Sequence, residues 1–320
     1  MKILITGTSG YFGGLFLKKM IADKKITKIY AIDVAKKPEG VDDPKIVWIR
    51  ANLATDDWEK EILKDGAPET VFHFAFWIRG RYGKIKIQER ENLDNCRRVT
   101  NFCFDNNVKK LIYFSSAAAY GAKKENVGKL LNESDLLEEV RYPYGVQKHK
   151  VEDLMREIAL RRQKQTQILI IRPASIWGPE AEKKKKIGLM NLLKKALPVL
   201  PLVNQFWARQ YVYEQDLIIA VELLAFGKIE NDYEVFNLAA PDILTTKDMA
   251  RLLGKKTFFV PAFLIKTAFF FGWHLTRGII PTPSGAEMSF TWPINMDGSK
   301  ITKLGFRYSM SSADIFCGKW

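Results

Sequence analysis

Six short apolar runs punctuate the first 173 residues: "KILIT" (2–6), "KIYAID" (28–33), "KIVWIR" (45–50), "TVFHFAF" (70–76), "KKLIYFSS" (109–116) and "QILIIRP" (167–173). They are almost continuously hydrophobic, as strands buried on both faces are. Helical periodicity fills stretches between them, at 11–23, 56–64 and 88–107. Parallel strands need long crossovers, and right-handed crossovers place helices on both sides of a sheet. The expected fold class is therefore α/β, with a doubly wound parallel sheet. Beyond residue 173, prolines at 173, 179, 198, 201, 241, 261, 281, 283 and 293 break the pattern into short pieces. We expect a first domain at 1–173, joined by a strand returning from near 209–240, and a smaller, irregular lobe at 174–320.

The first strand runs into "TGTSGYFGG". Gly7, Gly10 and Gly13 let a backbone turn tightly, approach a pyrophosphate and pack helix on strand, and the helix start offers an anion site. The spacing is G-x-x-G-x-x-G, so context has to decide. The second strand ends at Asp33, 20 residues past Gly13, where a carboxylate can bond the adenosine ribose hydroxyls. The turn predicts a dinucleotide held by Gly7, Gly10, Tyr11, Phe12 and Gly13. Asp33 would repel a 2′-phosphate, which favours NAD over NADP, although Lys36 and Lys37 follow closely.

Lys plus Arg exceed Asp plus Glu by 14, which raises the question of nucleic acid. The excess is spread along the chain, with one run at 183–186, so no nucleic-acid partner is expected; phosphorylated small molecules suit the charge equally. Cys96, Cys103 and Cys317 form no metal-ligand cluster and read as thiols in a reducing compartment. His149 and His274 lack the partner spacing of a metal site, so no metal is expected. The start turns to glycines before a signal-peptide core forms, which points to a cytoplasmic protein. "FFVPAFLIKTAFFFGW" (258–273) is interrupted by Pro261 and Lys266 and is shorter than the ~20 residues of a spanning helix. It reads as a buried or pocket-lining helix, with peripheral membrane association as the alternative.

Tyrosine precedes lysine by four residues at Tyr82/Lys86, Tyr120/Lys124 and Tyr144/Lys148. With 50 basic residues in 320, about one such pair arises by chance, so spacing alone does not choose. Tyr82 lies between Gly80 and Gly83, and Tyr120 runs through Gly121 into a polar loop. Tyr144 follows Pro143, which suits a first helical turn, and Val151, Leu154, Met155, Ile158 and Ala159 continue an amphipathic helix. Only this pair would share a helix face. A phenol titrates near pH 10, and a neighbouring ammonium favours the phenolate.

These segments together resemble the extended short-chain dehydrogenase/reductase group, the NAD-dependent epimerase/dehydratase family. The likeness runs through "VFHFAFW" (71–77), "ENLDNCRRVTNFC" (91–103), "IYFSSAAAYG" (112–121), "YGVQKHKVE" (144–152), "IRPASIWGP" (171–179), "RQYVYEQDL" (209–217), "VFNLA" (235–239) and "MDGSKITKLGF" (296–306). It implies a Rossmann fold with Ser116, Tyr144 and Lys148 as the catalytic set, Ser116 polarising the substrate oxygen and Lys148 bonding the nicotinamide ribose. It adds Asn52, Leu53, Phe74, Ala75, Asn92 and Pro173 to the cofactor contacts. On the substrate side it places Arg209 at a nucleotide diphosphate, with Trp77, Ser175 and Trp177 lining the pocket. It also implies a homodimer through helices 88–107 and 144–162.

Dehydratases of the family carry Asp-Glu after the catalytic Ser or Thr; Ala117 and Ala118 stand here, which argues against dehydration. A nucleotide-sugar epimerase is the leading expectation. "RPAS" lacks the Asn of the sugar-nucleotide pattern, and Arg277 is the candidate for a second diphosphate arginine. A reductase or dehydrogenase of an apolar ketone, aldehyde or hydroxysteroid-like compound is the alternative, with Trp77, Trp177 and Phe206 as an apolar lining. A non-catalytic NAD-binding scaffold is a third possibility. His73 is expected to pack at a strand end rather than to catalyse.

Overall fold

The computed structural model describes residues 1–162, 166–184 and 197–320. Its first half contains strands β1 (Lys2–Thr6), β2 (Lys28–Asp33), β3 (Ile46–Arg50), β4 (Thr70–His73), β5 (Lys110–Phe114) and β6 (Gln167–Pro173). Helices α1 (Tyr11–Ala22), α2 (Glu59–Leu63), α3 (Ile85–Asp105) and α4 (Pro143–Arg162) lie between them. The second half is finer-grained: β7 (Ser175–Trp177), β8 (Val199–Leu202), β9 (Ala208–Arg209), β10 (Tyr211–Tyr213), β11 (Tyr233–Leu238), β12 (Leu244–Thr245) and β13 (Lys256–Phe259). Its helices are α5 (Pro179–Lys184), α6 (Glu214–Phe226), α7 (Thr246–Leu252), α8 (Ala262–Leu275) and α9 (Ser312–Cys317).

Seven strands form one parallel sheet in the order β11-β6-β5-β4-β1-β2-β3. Successive strand residues point to opposite faces, so each strand feeds two apolar layers. Ile3, Ile5 and Phe72 join Phe16 of α1 and Leu217 of α6 on one side. Leu4, Val71 and Tyr113 join Val99 of α3 and Met155 of α4 on the other. The order of strands reverses at β1, whose neighbours are β2 and β4. The loops after β1 and β4 leave the sheet there at its carboxyl edge, the usual position of a ligand crevice in such sheets.

Three expected elements differ in extent. The helix expected at 56–64 is confined to Glu59–Leu63, because Asp56 accepts the Asn52 N–H at 2.8 Å and holds a turn before it. The helix expected at 88–107 starts earlier, at Ile85, and ends at Asp105. The apolar segment 258–273 is neither one helix nor buried: Phe258 and Phe259 end β13, Pro261 precedes α8, and Phe263, Phe270 and Phe271 are more than half exposed. Within α8 only Trp273 is buried, against Tyr82, while Phe269 packs on Phe290. Lys185 and Lys186 of the lysine run lie outside the described residues. Among the described residues no helix is long and apolar enough to cross a membrane.

Candidate active site

The glycine turn is built for close approach. Gly7 adopts φ +74°, and a Cβ there would lie 2.6 Å from the Ala75 nitrogen on the neighbouring β4 loop. A Cβ on Gly13 would lie 2.1 Å from the Gly7 carbonyl oxygen. Side chains at either position would push the two backbones apart. No side chain caps the start of α1, so its first N–H groups remain directed at the turn. At the end of β2 the Asp33 carboxylate accepts N–H bonds from Ser9 (2.9 Å) and Ala35 (3.0 Å), which ties it to the glycine loop. A cradle that a Cβ would fill, an open helix start and a carboxylate at the next strand end fit a dinucleotide.

Across the crevice, Tyr144 sits in the first turn of α4, beside the Ser116 side chain. Burial pushes the Tyr144 phenol up to about 12, with the Ser116 hydroxyl acting downward. Phe76, on the loop after β4, meets the Tyr144 ring edge-on at 5.8 Å. Lys148, one turn on, is buried and donates to the Phe114 carbonyl (2.5 Å) and the Tyr113 hydroxyl (3.1 Å). Its ammonium lies 3.6 Å from the centre of the Phe76 ring and 6.0 Å from that of Tyr144. Burial pulls the Lys148 pKa down to about 7. The other two pairs are elsewhere. Tyr82 bonds His274 on the surface, and the Tyr120 hydroxyl is engaged with Arg172, Asn132 and Asn237 inside the protein.

A family model, the NAD dependent epimerase/dehydratase family, matches residues 3–239. The chain belongs to this family. An uncharacterized UDP-glucose epimerase of Bacillus subtilis is 23% identical over 234 residues, covering 68% of this chain and 70% of its own. The Thermotoga maritima UDP-glucose 4-epimerase, solved with UDP-glucose, superposes with TM-score 0.74 at 20% identity, over 99% of this chain and 96% of that one. The Bacillus cereus UDP-glucuronic acid 4-epimerase, solved with UDP-glucuronic acid and NAD, gives TM-score 0.73 at 19% identity, over 99% and 97%.

Within this epimerase/dehydratase frame, several residues read as contacts are engaged by the protein itself. Asn92 is buried; its amide oxygen accepts the Trp77 N–H (2.9 Å), and its nitrogen donates to the Trp77 carbonyl (3.2 Å) and to Gln147 (2.7 Å). It shapes the β4 loop and presents no free group to the crevice. The Phe12 side chain stacks on Phe114 at 4.6 Å, and Leu53 is buried beside Trp58, so only their main chains can face a ligand. Tyr11 donates to the Glu214 carboxylate, which in turn accepts the Glu180 and Ala181 N–H groups at the start of α5. Asn52 uses its amide oxygen on the Ala54 N–H at 3.0 Å. Phe74 and Ala75 line the crevice beside Gly7, and Pro173 is buried at the end of β6.

On the substrate side, Arg209 is half-buried between the rings of Trp207 and Phe290, at 5.4 and 5.7 Å, and its charge acts on Tyr142. Trp77 is half-buried under the Arg81 guanidinium, 3.8 Å from its ring, and Ser175 is partly exposed on β7. Trp177 is buried, packed with Leu200, Trp207 and Tyr211 in a third apolar cluster apart from the two layers of the sheet. Phe206 is half-exposed, and Arg277 is an exposed residue in a left-handed turn (φ +48°) after α8. His73 is buried, bonded to Thr6 at 2.8 Å, and burial holds its pKa down to about 3.

Two supports escaped the sequence reading. Gly145 lets α4 approach the Ser116 loop, because a Cβ there would lie 2.4 Å from the Ala118 carbonyl oxygen. Behind the site, Glu152 of α4 and Arg172 of β6 form a buried pair at 2.6 Å. Ser115 donates to the same Glu152 carboxylate, and Arg172 donates to Tyr120 at 2.7 Å. The available signal was Arg172 itself, a charge inside "ILIIRP" that demands a buried partner. Among the described residues no cluster of His, Cys, Asp and Glu is arranged to hold a metal ion.

Proposed function

We propose that this chain is an NAD-dependent epimerase of a nucleotide sugar, with Ser116, Tyr144 and Lys148 carrying the proton chemistry. The observation that carries this reading is that Tyr144 stands beside Ser116, with the buried Lys148 one helical turn behind and its ammonium 6.0 Å from the Tyr144 ring. NAD, when bound, accepts a hydride from a carbinol carbon and returns it. Ser116 holds the substrate oxygen and Tyr144 removes and later restores its proton. Burial alone keeps the phenol protonated; the charged form of Lys148, accessible near neutral pH, favours the phenolate. Gly7, Gly10, Gly13 and the start of α1 would hold the pyrophosphate, and Asp33 would hold the adenosine ribose and disfavour NADP.

Arg209 supports a diphosphate-bearing substrate, as do relatives and structural neighbours named for UDP-sugars. An apolar ketone finds less support, because Trp177 packs in the core and most of the apolar face of α8 is exposed. Ala117 and Ala118 offer no acid or base for dehydration. The lobe at 174–320 would supply substrate contacts, and a second copy would pair through α3 and α4, whose outer faces carry charges of both signs, such as Arg90 and Asp94 on α3 and Lys150 and Glu157 on α4. Tyr144→Phe should retain NAD and lower turnover of a UDP-hexose by about 10²–10⁴-fold. Wild-type turnover in that variant would overturn the assignment.

A further inference from the structure

The greasiest helix of the chain stands on its surface. α8 turns Ile265, Phe269, Gly272, Trp273 and Thr276 toward the protein, where Phe269 meets Phe290 at 5.2 Å and Trp273 meets Tyr82 at 5.5 Å. Outward stand Phe263 (65% exposed), Phe270 (56%), Phe271 (52%) and Leu275 (78%), followed by Ile279 (85%). Single exposed apolar residues are ordinary, but a contiguous cluster marks a docking surface.

The charges around it have one sign. Neither residues 249–286 nor residues 70–88 contain an Asp or Glu. The two segments meet: Tyr82 bonds His274 at 3.0 Å, and Gly80 lies against Trp273 and Pro283. Exposed Lys256, Lys266 and Arg277 flank the apolar cluster, with Arg79 and Lys84 on the adjoining loop. Of the flanking acids, Asp248 pairs with Arg251, Glu69 with Lys109, Glu89 with Lys150 and Glu91 with Arg81, and Glu287 is half-buried in a 3-10 turn.

We infer that this face docks on an anionic lipid bilayer, with α8 lying in the plane of the interface. Exposed phenylalanines flanked by cations are the chemistry of an interfacial helix, whose apolar face enters the acyl boundary while Lys and Arg meet the headgroups. A second copy is a poor occupant, because a two-fold contact would set these cations against each other with no carboxylate on the face to pair them. A bilayer also accepts a convex ridge without a matching groove. The face adjoins both rims of the crevice: the loop carrying Tyr82 begins at Phe76, against Tyr144, and Phe269 packs on Phe290, beside Arg209.

The test uses the full chain without substrate, so its outcome is independent of the proposed reaction. Co-sedimentation with phosphatidylcholine vesicles and with vesicles containing about 30% phosphatidylglycerol should show binding to the second alone, weakening as salt rises. Phe270→Glu/Phe271→Glu should reduce the bound fraction at least tenfold, and Lys256→Glu/Lys266→Glu should also reduce it, with wild-type circular dichroism in both. Leu136→Glu, at an exposed apolar position elsewhere, should bind as wild type. Absence of wild-type binding to anionic vesicles, or undiminished binding by both double variants, would overturn the inference. So would a dimer in light scattering that Phe270→Glu/Phe271→Glu converts to monomer, or wild-type binding only to an acidic protein.

Discussion

His73 and Gly145 show how single residues constrain this molecule. His73 is held neutral by burial, with a folded pKa near 3 against an ordinary value of 6.5. Between those values the unfolded chain binds a proton that the folded chain does not, so stability falls as pH drops below 6.5 and the loss is complete near pH 3. The slope from this one group approaches about 1.4 kcal/mol per pH unit. Urea unfolding at pH 7, 6 and 5 should show it, and His73→Gln should flatten that limb. Gly145 acts through space alone. Gly145→Ala should displace the first turn of α4 and cut turnover by roughly tenfold or more, while NAD affinity stays within about twofold. Equal loss of NAD binding would show that the change is not local to Tyr144. The sequence anticipated the packing of His73 at a strand end, but it gave no such signal for Gly145: one glycine in a helical stretch reads as a mild defect until its neighbour is known.

At the scale of elements, α4 was legible because its apolar positions repeat at helical spacing, and Val151 and Met155 are indeed buried. What fixes it against the sheet was not legible. Glu152 and Arg172 are 20 residues apart and lie on different elements, and their pairing depends on the crossover between them. Breaking a buried pair leaves an uncompensated charge, so Glu152→Ala should cost about 3–5 kcal/mol in urea unfolding. Arg161→Ala, which removes an exposed pair with Glu157, should cost less than about 1 kcal/mol. Similar losses in the two variants would remove the buried network from the account of stability. α8 shows the opposite limit. Its composition implied burial, yet composition does not say whether another surface exists to cover a helix.

Across the whole molecule, the second half completes the first. β11 pairs with β6 from Tyr233↔Ile168 to Leu238↔Pro173, and Asn237 receives the Tyr120 hydroxyl at 2.9 Å. A fragment ending at Pro173 would leave β6 as an open edge and the Arg172–Tyr120 cluster incomplete. We expect residues 1–173 alone to lack a cooperative unfolding transition by circular dichroism and to show no thermal shift with NAD. A folded, NAD-responsive fragment would contradict this.

The sequence by itself determined the sheet, the turn at Gly7–Gly13 and the helical setting that separates Tyr144 from Tyr82 and Tyr120. These rest on local physics: buried strands are continuous in hydrophobicity, tight turns need glycine, and a helix face repeats every three to four residues. Tertiary structure alone decided that Asn92 holds a loop, that Trp177 is core, that Glu152 meets Arg172 and that the phenylalanines of α8 face outward. Each of those outcomes depends on which distant surface arrives beside the residue, and that is set by packing between elements far apart in the chain.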